Sequence, residues 1–554
     1  MTSLPDIVQA WGNHYETLAS DVTGNSQNAS HWDHLRQGSN PELKELEQSI
    51  TNDDVWDALG KMPTHKTPGS DGIPTDFLKA AIVEKWDQEA YDRLVQRNEA
   101  EGIERPVPYF TDIIVRVLNL VYFEAEIPSK WSTSTVISIP KDGDLADMDN
   151  YRGISLMSCT LKILLKILSD RINRAAEKGK LFHETQAGFR KKEEAVTQAA
   201  CLVDVIQRRR LAGDRTYVVF VDLRKAYDTV PHECLFAKLY RFGIRGYCLR
   251  FIKSLYAQSK LSVKVGHGTM ARFSEEVDLL RGVRQGCPIS PVLFNVFIND
   301  LPEEFDETAV QVPAGKKADW GSSDLRVGGG LFADDIAALA ADINGCLQIC
   351  DKISEWTTGN EMAVGIAKCG ILEFSPDPNE EPILTETHEL CDSLRINGQR
   401  VPIVKEYRYL GLLLDGHLSR ETVIADRLNK ARKAAYTMAP YIRSTVIPMP
   451  MRLQVIKAIV IPLCLYGAEI YGMCRALTVK AQHLVNTTLR WLIGIVKGGN
   501  HWVPHQALWS ECKLDPICAI AAGRRVRAYA KSRGLKSTIG RVIKTPWVDY
   551  GGLG

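Results

Sequence analysis

Residues 216–223 read TYVVFVDL, and residues 328–340 read GGGLFADDIAALA. The first is a short β-branched apolar run, which is the pattern of a buried strand. It closes on Asp222. The second reads as a strand, a tight turn and a second strand, with Asp334 and Asp335 between two apolar segments. Carboxylates at strand ends are poor structural choices, because a buried charge is costly unless it is paired or bound to metal. Three of them brought together would repel and would need cations. Magnesium prefers oxygen ligands and completes its shell with water and phosphate. Two such ions about 4 Å apart would clamp the attacking and leaving oxygens of an in-line displacement. Taken alone, an Asp-Asp pair is more often a solvated turn, and spacing does not show that Asp222 meets Asp334.

Outward from these stretches, strands and helices alternate, which predicts a mixed α/β core. WSTSTVISIPK (131–141) reads as a strand ending in a turn. Helices are expected at 111–123, 157–179 and 193–211, and another from Thr51, where TNDD supplies a cap ahead of VWDALGKM. HKTPGSDGIP (65–74) is a loop of turn-forming residues. VRQGCPISPVLFNVFINDLP (283–302) reads as a loop entering a helix. Residues 312–330 read as a flexible insertion, and residues 1–50 as a weakly structured leader. From 420 to 545 the pattern is mainly helical, which suggests a separate C-terminal domain.

The chain has 554 residues, enough for two to four domains, and its net charge is +1. A nucleic-acid partner must therefore be argued from local charge. Thirteen scattered cysteines predict reduced thiols. No secretory signal opens the sequence. The longest apolar run, AIVIPLCLYGA (458–468), is too short to span a bilayer and contains Pro462, so a buried segment and an intracellular protein, nuclear or cytoplasmic, are expected.

VVFVDLRKAYDTV, RGVRQGCPISPVLFNVFINDL and LFADD follow one another in that order. Together they resemble the palm of a reverse transcriptase, most closely that of a LINE-type non-LTR retrotransposon. HKTPGSDGIPTDFLK, IPSKWSTSTVISIPKDGD, NYRGISLMS, ETQAGFRKK, EYRYLGLLLD and PLCLYGAE extend the likeness over roughly residues 51–530. The resemblance implies an α+β right-hand polymerase fold, with fingers, a palm bearing a split βαβ-type antiparallel sheet, and a helical thumb. It implies an N-terminal extension and fingers over 51–215, a palm with fingers-side segments and the 312–330 insertion over 216–415, a helical thumb over 416–500 and a basic extension over 501–554.

It also implies roles. Asp222 and Asp334 would be the principal metal ligands, with Asp335 and the Leu223 carbonyl beside them, holding two Mg²⁺ ions or Mn²⁺ in their place. Tyr227 would be a steric gate against the 2′-hydroxyl. Gln285 and Gly286 would lie beside the incoming dNTP, and Lys141 and Arg152 would contact its triphosphate. Lys368 would protonate the leaving pyrophosphate, and Tyr409, Leu410 and Gly411 would form the primer grip. The ordinary alternatives are core packing for Tyr227 and a solvated surface position for Lys141 or Arg152. The acidic box begins with Phe332, which suits the family, whereas the stretch from Gln285 to Asp334 is longer than expected, and the 312–330 insertion would account for this.

The implied partners are an RNA template, a DNA or RNA primer and dNTPs, with no membrane. Basic candidates for phosphate contact are residues 519–544, which hold eight Lys/Arg and no acid, Arg190 to Lys192, and Arg427, Lys430, Arg432 and Lys433. His501, His505, Cys512 and Cys518 match no zinc spacing, and Pro504 breaks the helical spacing of the histidines. Cys346 and Cys350, one helical turn apart, read as core residues. Fifty leading residues are too few for an endonuclease, and no RNase H-like segment follows the thumb, so a stand-alone module, a truncated element or a host-adopted copy is expected. The competing readings are an RNA-binding scaffold that keeps the fold and an intron maturase.

Overall fold

A computed structural model describes residues 3–82, 88–102, 110–141, 143–314, 324–377, 379–471, 474–494 and 503–546. The strands that frame the site are, in chain order, β1 (Thr133–Pro140), β2 (Tyr151–Leu156), β3 (Thr216–Asp222), β4 (Lys260–Val265), β5 (Gly329–Phe332), β6 (Asp335–Ala340) and β7 (Gly370–Phe374). The expected α+β class is what these elements and their helices form. The chain divides into two compact units. One comprises Met1–Phe182, Arg224–Asp300 and Thr357–Ala363, the other His183–Leu223, Leu301–Trp356 and Val364–Gly554. Residues 224–300, within the stretch expected to be palm with fingers-side segments, cluster with the N-terminal segments.

In the first unit, β1 pairs antiparallel with β2 and parallel with β4. Short strands at Arg272–Phe273 and Val277–Asp278 add to β4. The first correction falls here. Residues 1–50 are not a weakly structured leader, because Leu4–Ala19 forms a helix, α1, capped by the Ser3 side chain. Apolar residues recur through it at helical spacing, at Leu4, Val8, Trp11, Tyr15 and Ala19. Ala19 packs with Val136, Leu261 and Val263 in a small core, and Trp11 and Tyr15 lie against it. Tyr15 reaches β1 through its hydroxyl, 3.2 Å from Ser138 Oγ.

The helix expected from Thr51 is α2 (Asn52–Lys61), and it begins with a full capping box between Thr51 and Asp54. Asp54 also holds Arg171 of α3 (Cys159–Gly179) at 2.8 Å, and Arg171 donates to the Gln48 and Ser49 carbonyls. One buried guanidinium therefore ties the α2 entry to the long helix. Residues 65–74 form the expected loop. Its Gly69 passes so close to Met157 that a Cβ would lie 2.1 Å from the Met157 carbonyl carbon.

In the second unit the sheet order is β7-β3-β6-β5, antiparallel throughout. β3 is buried along its whole apolar run and only Asp222, at its end, reaches solvent. α4 (Ala195–Ala212) packs on this sheet. Helices α5 (Arg420–Thr437), α6 (Arg475–Leu492) and α7 (Ile517–Ser532) follow. The expected separate C-terminal domain is a second correction. Leu428, Leu484, Leu489, Leu508, Ile517 and Ile539 share one continuous core with Val218, Phe220, Leu339 and Phe374 of the sheet. Each helix presents its apolar face to that core, so none of them has an independent one.

The run 458–468 is mostly buried, with Ala458 exposed at its start. A π-turn at Ile456–Val460 leads into the short helix Ile461–Leu465, with Pro462 in its first turn. Among the described residues no helix is long and apolar enough to cross a membrane. All thirteen cysteines are unpaired, and Cys346 and Cys350 are buried in the core. Within the expected insertion 312–330, residues 315–323 lie outside the described residues. Its flanks are ordered, however, because Val310–Gln311 pairs with Arg326–Val327 and β5 begins at Gly329.

Candidate active site

The carboxylates sit where the second unit's sheet ends. Asp222 closes β3, Asp335 opens β6, and the two are direct partners in the antiparallel ladder. β5 and β6 are joined by the tight hairpin Phe332-Ala333-Asp334-Asp335, with Phe332 paired to Asp335. Ala333 holds a left-handed backbone, φ 60°, unusual for a residue with a Cβ. That turn places Asp334 beside the facing pair. Asp335 opens to solvent on one side, yet protein crowds the rest of it. This partial burial, and after it the charges of Asp334 and Asp222, push its carboxyl up to about 6.

The strained turn has a support that the sequence reading missed. The fully buried Gln186 accepts from the Ala333 N–H at 3.0 Å and from the Gly188 N–H at 2.8 Å. Its amide nitrogen donates back to the Ala333 carbonyl at 3.4 Å. Gly188 lies so close that a Cβ would fall 2.1 Å from the Ala333 nitrogen. Both residues belong to ETQAGFRKK, a stretch whose resemblance was legible while its task was not.

The 364–370 segment supports Asp222 from the other side. Leu223 bridges to Val364, and the Gly365 N–H donates to the Asp222 carbonyl at 2.8 Å. The Asp222 N–H donates to Cys369 Sγ at 3.5 Å. Lys368 is brought beside the site, with Nζ 3.9 Å from Asp222 Oδ2 in an exposed and therefore weak ion pair. A Cβ on Gly365 would lie 2.8 Å from that same oxygen.

Tyr409, Leu410 and Gly411 form the expected backbone turn between two short strands, with Leu410 and Gly411 both left-handed. The Tyr466 hydroxyl donates to the Leu410 carbonyl at 2.8 Å. The Tyr407 ring, two residues before the turn begins, stacks on Phe220 of β3 at 4.0 Å. This turn and Asp222 are thus anchored on the same strand.

The nucleotide candidates assemble in the first unit. β1 and β2 pair Ile139 with Arg152, and the Lys141 N–H donates to the Asn150 carbonyl at 2.7 Å, so Lys141 and Arg152 share one hairpin. The Ser155 N–H on β2 donates to the Gln285 carbonyl at 2.8 Å, which joins the Gln285–Gly286 turn to that hairpin. Gly286 is left-handed at φ 93°, and a Cβ there would press on the Ser155 carbonyl at 3.3 Å. The Tyr227 carbonyl accepts from the Val283 N–H at 2.7 Å, and its ring stacks nearly flat on Phe294 at 4.8 Å.

Several basic candidates are engaged by other groups of the protein. Arg190 is buried and donates to the His183 and Gln186 carbonyls. Arg427 is buried over the Tyr466 ring, and Lys430 pairs with Asp426. Arg524 and Arg525 donate to the Leu465 and Ile470 carbonyls, and Lys531 and Arg541 pair with Glu194 and Glu184. Lys191, Lys192, Lys430, Arg432, Lys433, Arg527, Arg533 and Lys536 are exposed. His501 lies outside the described residues.

Among the described residues no three His, Cys, Asp or Glu side chains converge as a ready-made metal cage. The donor chemistry at Asp222, Asp334 and Asp335 nevertheless fits a hard divalent cation. The set is all carboxylate oxygen, and burial together with the charges of Asp334 and Asp222 raises the Asp335 carboxyl, a shift that a bound cation would oppose.

Residues 139–414 match the family model for reverse transcriptase (RNA-dependent DNA polymerase). The chain belongs to the reverse transcriptases, which have the right-hand polymerase fold, and within them to the LINE-type non-LTR retrotransposon group. It is 32% identical over 184 residues to the retrovirus-related Pol polyprotein from type-1 retrotransposable element R2 of Popillia japonica, covering 33% of this chain and 25% of that protein. It is 23% identical over 461 residues to the RNA-directed DNA polymerase from mobile element jockey of Drosophila melanogaster, covering 80% of this chain and 44% of that one. The chain thus spans less than half the length of these relatives. Among solved structures, a telomerase from Candida tropicalis aligns with a TM-score of 0.35 at 12% identity over 76% of this chain and 64% of that one, a likeness too slight to argue from.

Proposed function

We propose that this chain is an RNA-directed DNA polymerase that extends a primer 3′-hydroxyl with dNTPs by two-metal-ion nucleotidyl transfer. The observation that carries this reading is the register pairing of Asp222 with Asp335, with Asp334 in the adjoining turn, inside a reverse transcriptase domain. Asp222, Asp334 and Asp335, with the Leu223 carbonyl, would hold two Mg²⁺ ions, Mn²⁺ being the alternative. Bound there, the ions supply Lewis-acid activation of the primer oxygen and charge neutralisation at the leaving phosphate. The protein's own groups orient the reactants. Lys141 and Arg152 bind triphosphate oxygens, and Gln285 and Gly286 line the nucleotide. Tyr227 excludes the 2′-hydroxyl by bulk, and the Tyr409–Gly411 turn supports the primer end. Lys368, held at the Asp222 side of the site, delivers a proton to pyrophosphate. In this reading residues 51–215, 216–415 and 416–500 serve as fingers, palm and thumb, 501–554 as a basic extension, and the enzyme works in the nucleus or cytoplasm on an RNA template with a DNA or RNA primer.

The test is primer extension on RNA and DNA templates with dNTPs and rNTPs in Mg²⁺. Extension with dNTPs on RNA is expected, and Asp334→Ala should reduce it by about two orders of magnitude or more. A folded sample that binds RNA and never incorporates nucleotide would overturn the proposal. An active Asp334→Ala protein would overturn the site.

A further inference from the structure

Asp228 follows the gate residue Tyr227 and has been given no task. Its segment is clamped to the one that carries Gln285. The Gly282 N–H donates to the Val230 carbonyl and the Val283 N–H to the Tyr227 carbonyl, both at 2.7 Å. Gly282 is left-handed at φ 87°, and a Cβ there would sit 2.6 Å from the Asp228 carbonyl oxygen. Within this clamp the Gln285 Nε2 group donates to both carboxylate oxygens of Asp228, at 3.0 and 3.2 Å.

We propose that Asp228 is a positioning residue that fixes the polarity of the Gln285 amide, so that the incoming nucleotide meets its oxygen and not its nitrogen. This rests on the polymerase reading above. A glutamine amide has two orientations that swap donor for acceptor. Burial raises the Asp228 carboxyl, while the Gln285 hydrogen bond and the charges of Lys225 and Lys141 favour its ionised form. A carboxylate only accepts, so ionised Asp228 permits one of them, with Nε2 on Asp228 and Oε1 left for another partner. The group that Oε1 engages must therefore be a donor. Four different bases offer different edges, and the sugar 3′-hydroxyl is the donor common to all four dNTPs. Asp228 would thereby let one side chain recognise every correct nucleotide without reading its base.

The test pairs kinetics with an amide signal. Primer extension on RNA is measured with dNTPs and with 2′,3′-dideoxynucleotides for wild type, Asp228→Asn, Gln285→Glu and the double variant. The side chain introduced by Asp228→Asn can accept from the Gln285 amide or donate to it, so both orientations become available. Losing one oriented hydrogen bond should raise KM for dNTPs about tenfold, with kcat within about threefold, and shrink the preference for dNTPs over dideoxynucleotides. Gln285→Glu sets two carboxylates together and should be worse. The double variant restores one donor-acceptor pair with an oxygen still presented, and should recover most of KM.

The Gln285 side-chain amide resonance, followed by selective ¹⁵N-glutamine labelling, should shift in Asp228→Asn while the thermal midpoint stays within a few degrees. Multiplicative losses in the double variant, unchanged dideoxynucleotide discrimination or an unmoved amide resonance would each overturn the proposal. A wild-type protein that never extends a primer would fail the polymerase reading and the nucleotide role with it. In that case the resonance would still report separately whether Asp228 holds the amide.

Discussion

Asp222 and Asp335 face one another as direct cross-strand partners. Partial burial, and after it the charges of Asp334 and Asp222, push the Asp335 carboxyl up to about 6 from its ordinary 3.8. The folded protein therefore holds this proton more tightly than the unfolded chain does. In chelator-treated protein the stability tied to Asp335 should be highest below pH 4, fall as pH rises through 4 to 6, and stay low above 6. Thermal midpoints of wild type minus Asp335→Asn across that range should show the decline. Adding Mg²⁺ at pH 7 should raise the wild-type midpoint more than that of Asp335→Asn.

Gln186→Ala should impair catalysis with all three aspartates intact. It removes the side-chain oxygen that accepts from both the Ala333 and Gly188 N–H groups. A cost of about 2–4 kcal/mol in stability is expected from two such groups. Ala333 would also be freed to leave its left-handed conformation, so Asp334 would lose its placement. Chemical denaturation and primer extension below the melting range check both outcomes. Wild-type activity in the folded variant would refute the role given to the glutamine.

Gly365→Ala separates aim from presence. Its methyl would lie 2.8 Å from Asp222 Oδ2, and what must give is the end of a side chain. Stability should change by only about 1 kcal/mol, because φ at Gly365 is −88° and alanine accepts it. The Asp222 carboxylate should swing, and extension should fall about ten- to a hundredfold. A calorimetric midpoint beside single-turnover rates would show the split.

Tyr227→Val should admit ribonucleotides. Removing the ring takes away the bulk assigned to the 2′-hydroxyl, and the ratio of rNTP to dNTP incorporation should rise by about tenfold or more. Phe294, which lies flat beneath the ring at 4.8 Å, holds it in place. Phe294→Leu should shift the ratio in the same direction by less. Competition assays on one template position measure both.

Much of this was legible from the sequence, and the reasons differ by element. β3 declared itself because TYVVFV is buried throughout and its composition says so. The hairpin carrying Asp334 and Asp335 was bounded by apolar runs and read correctly. Register was not legible, since the Asp222–Asp335 pairing depends on a contact far along the chain. α1 was missed because its polar neighbours masked a regular spacing of Leu4, Val8, Trp11 and Tyr15 that was there to be counted. Gln186 and Asp228 were missed for another reason. Their function lies in hydrogen bonds to Ala333 and Gln285, 147 and 57 residues away, and a lone polar side chain leaves no periodic trace.

The two compact units are built from interleaved stretches, and this bears on how the protein is made. The first unit includes Thr357–Ala363, which a ribosome delivers well after the unit's other segments. β3 emerges early, yet both of its sheet neighbours, β6 and β7, are synthesised well after it. Until they arrive, a nascent strand of unbroken apolar residues has no edge to pair with and is open to wrong partners. The strand that ends in Asp222 therefore stays without its sheet neighbours until much later residues have been made.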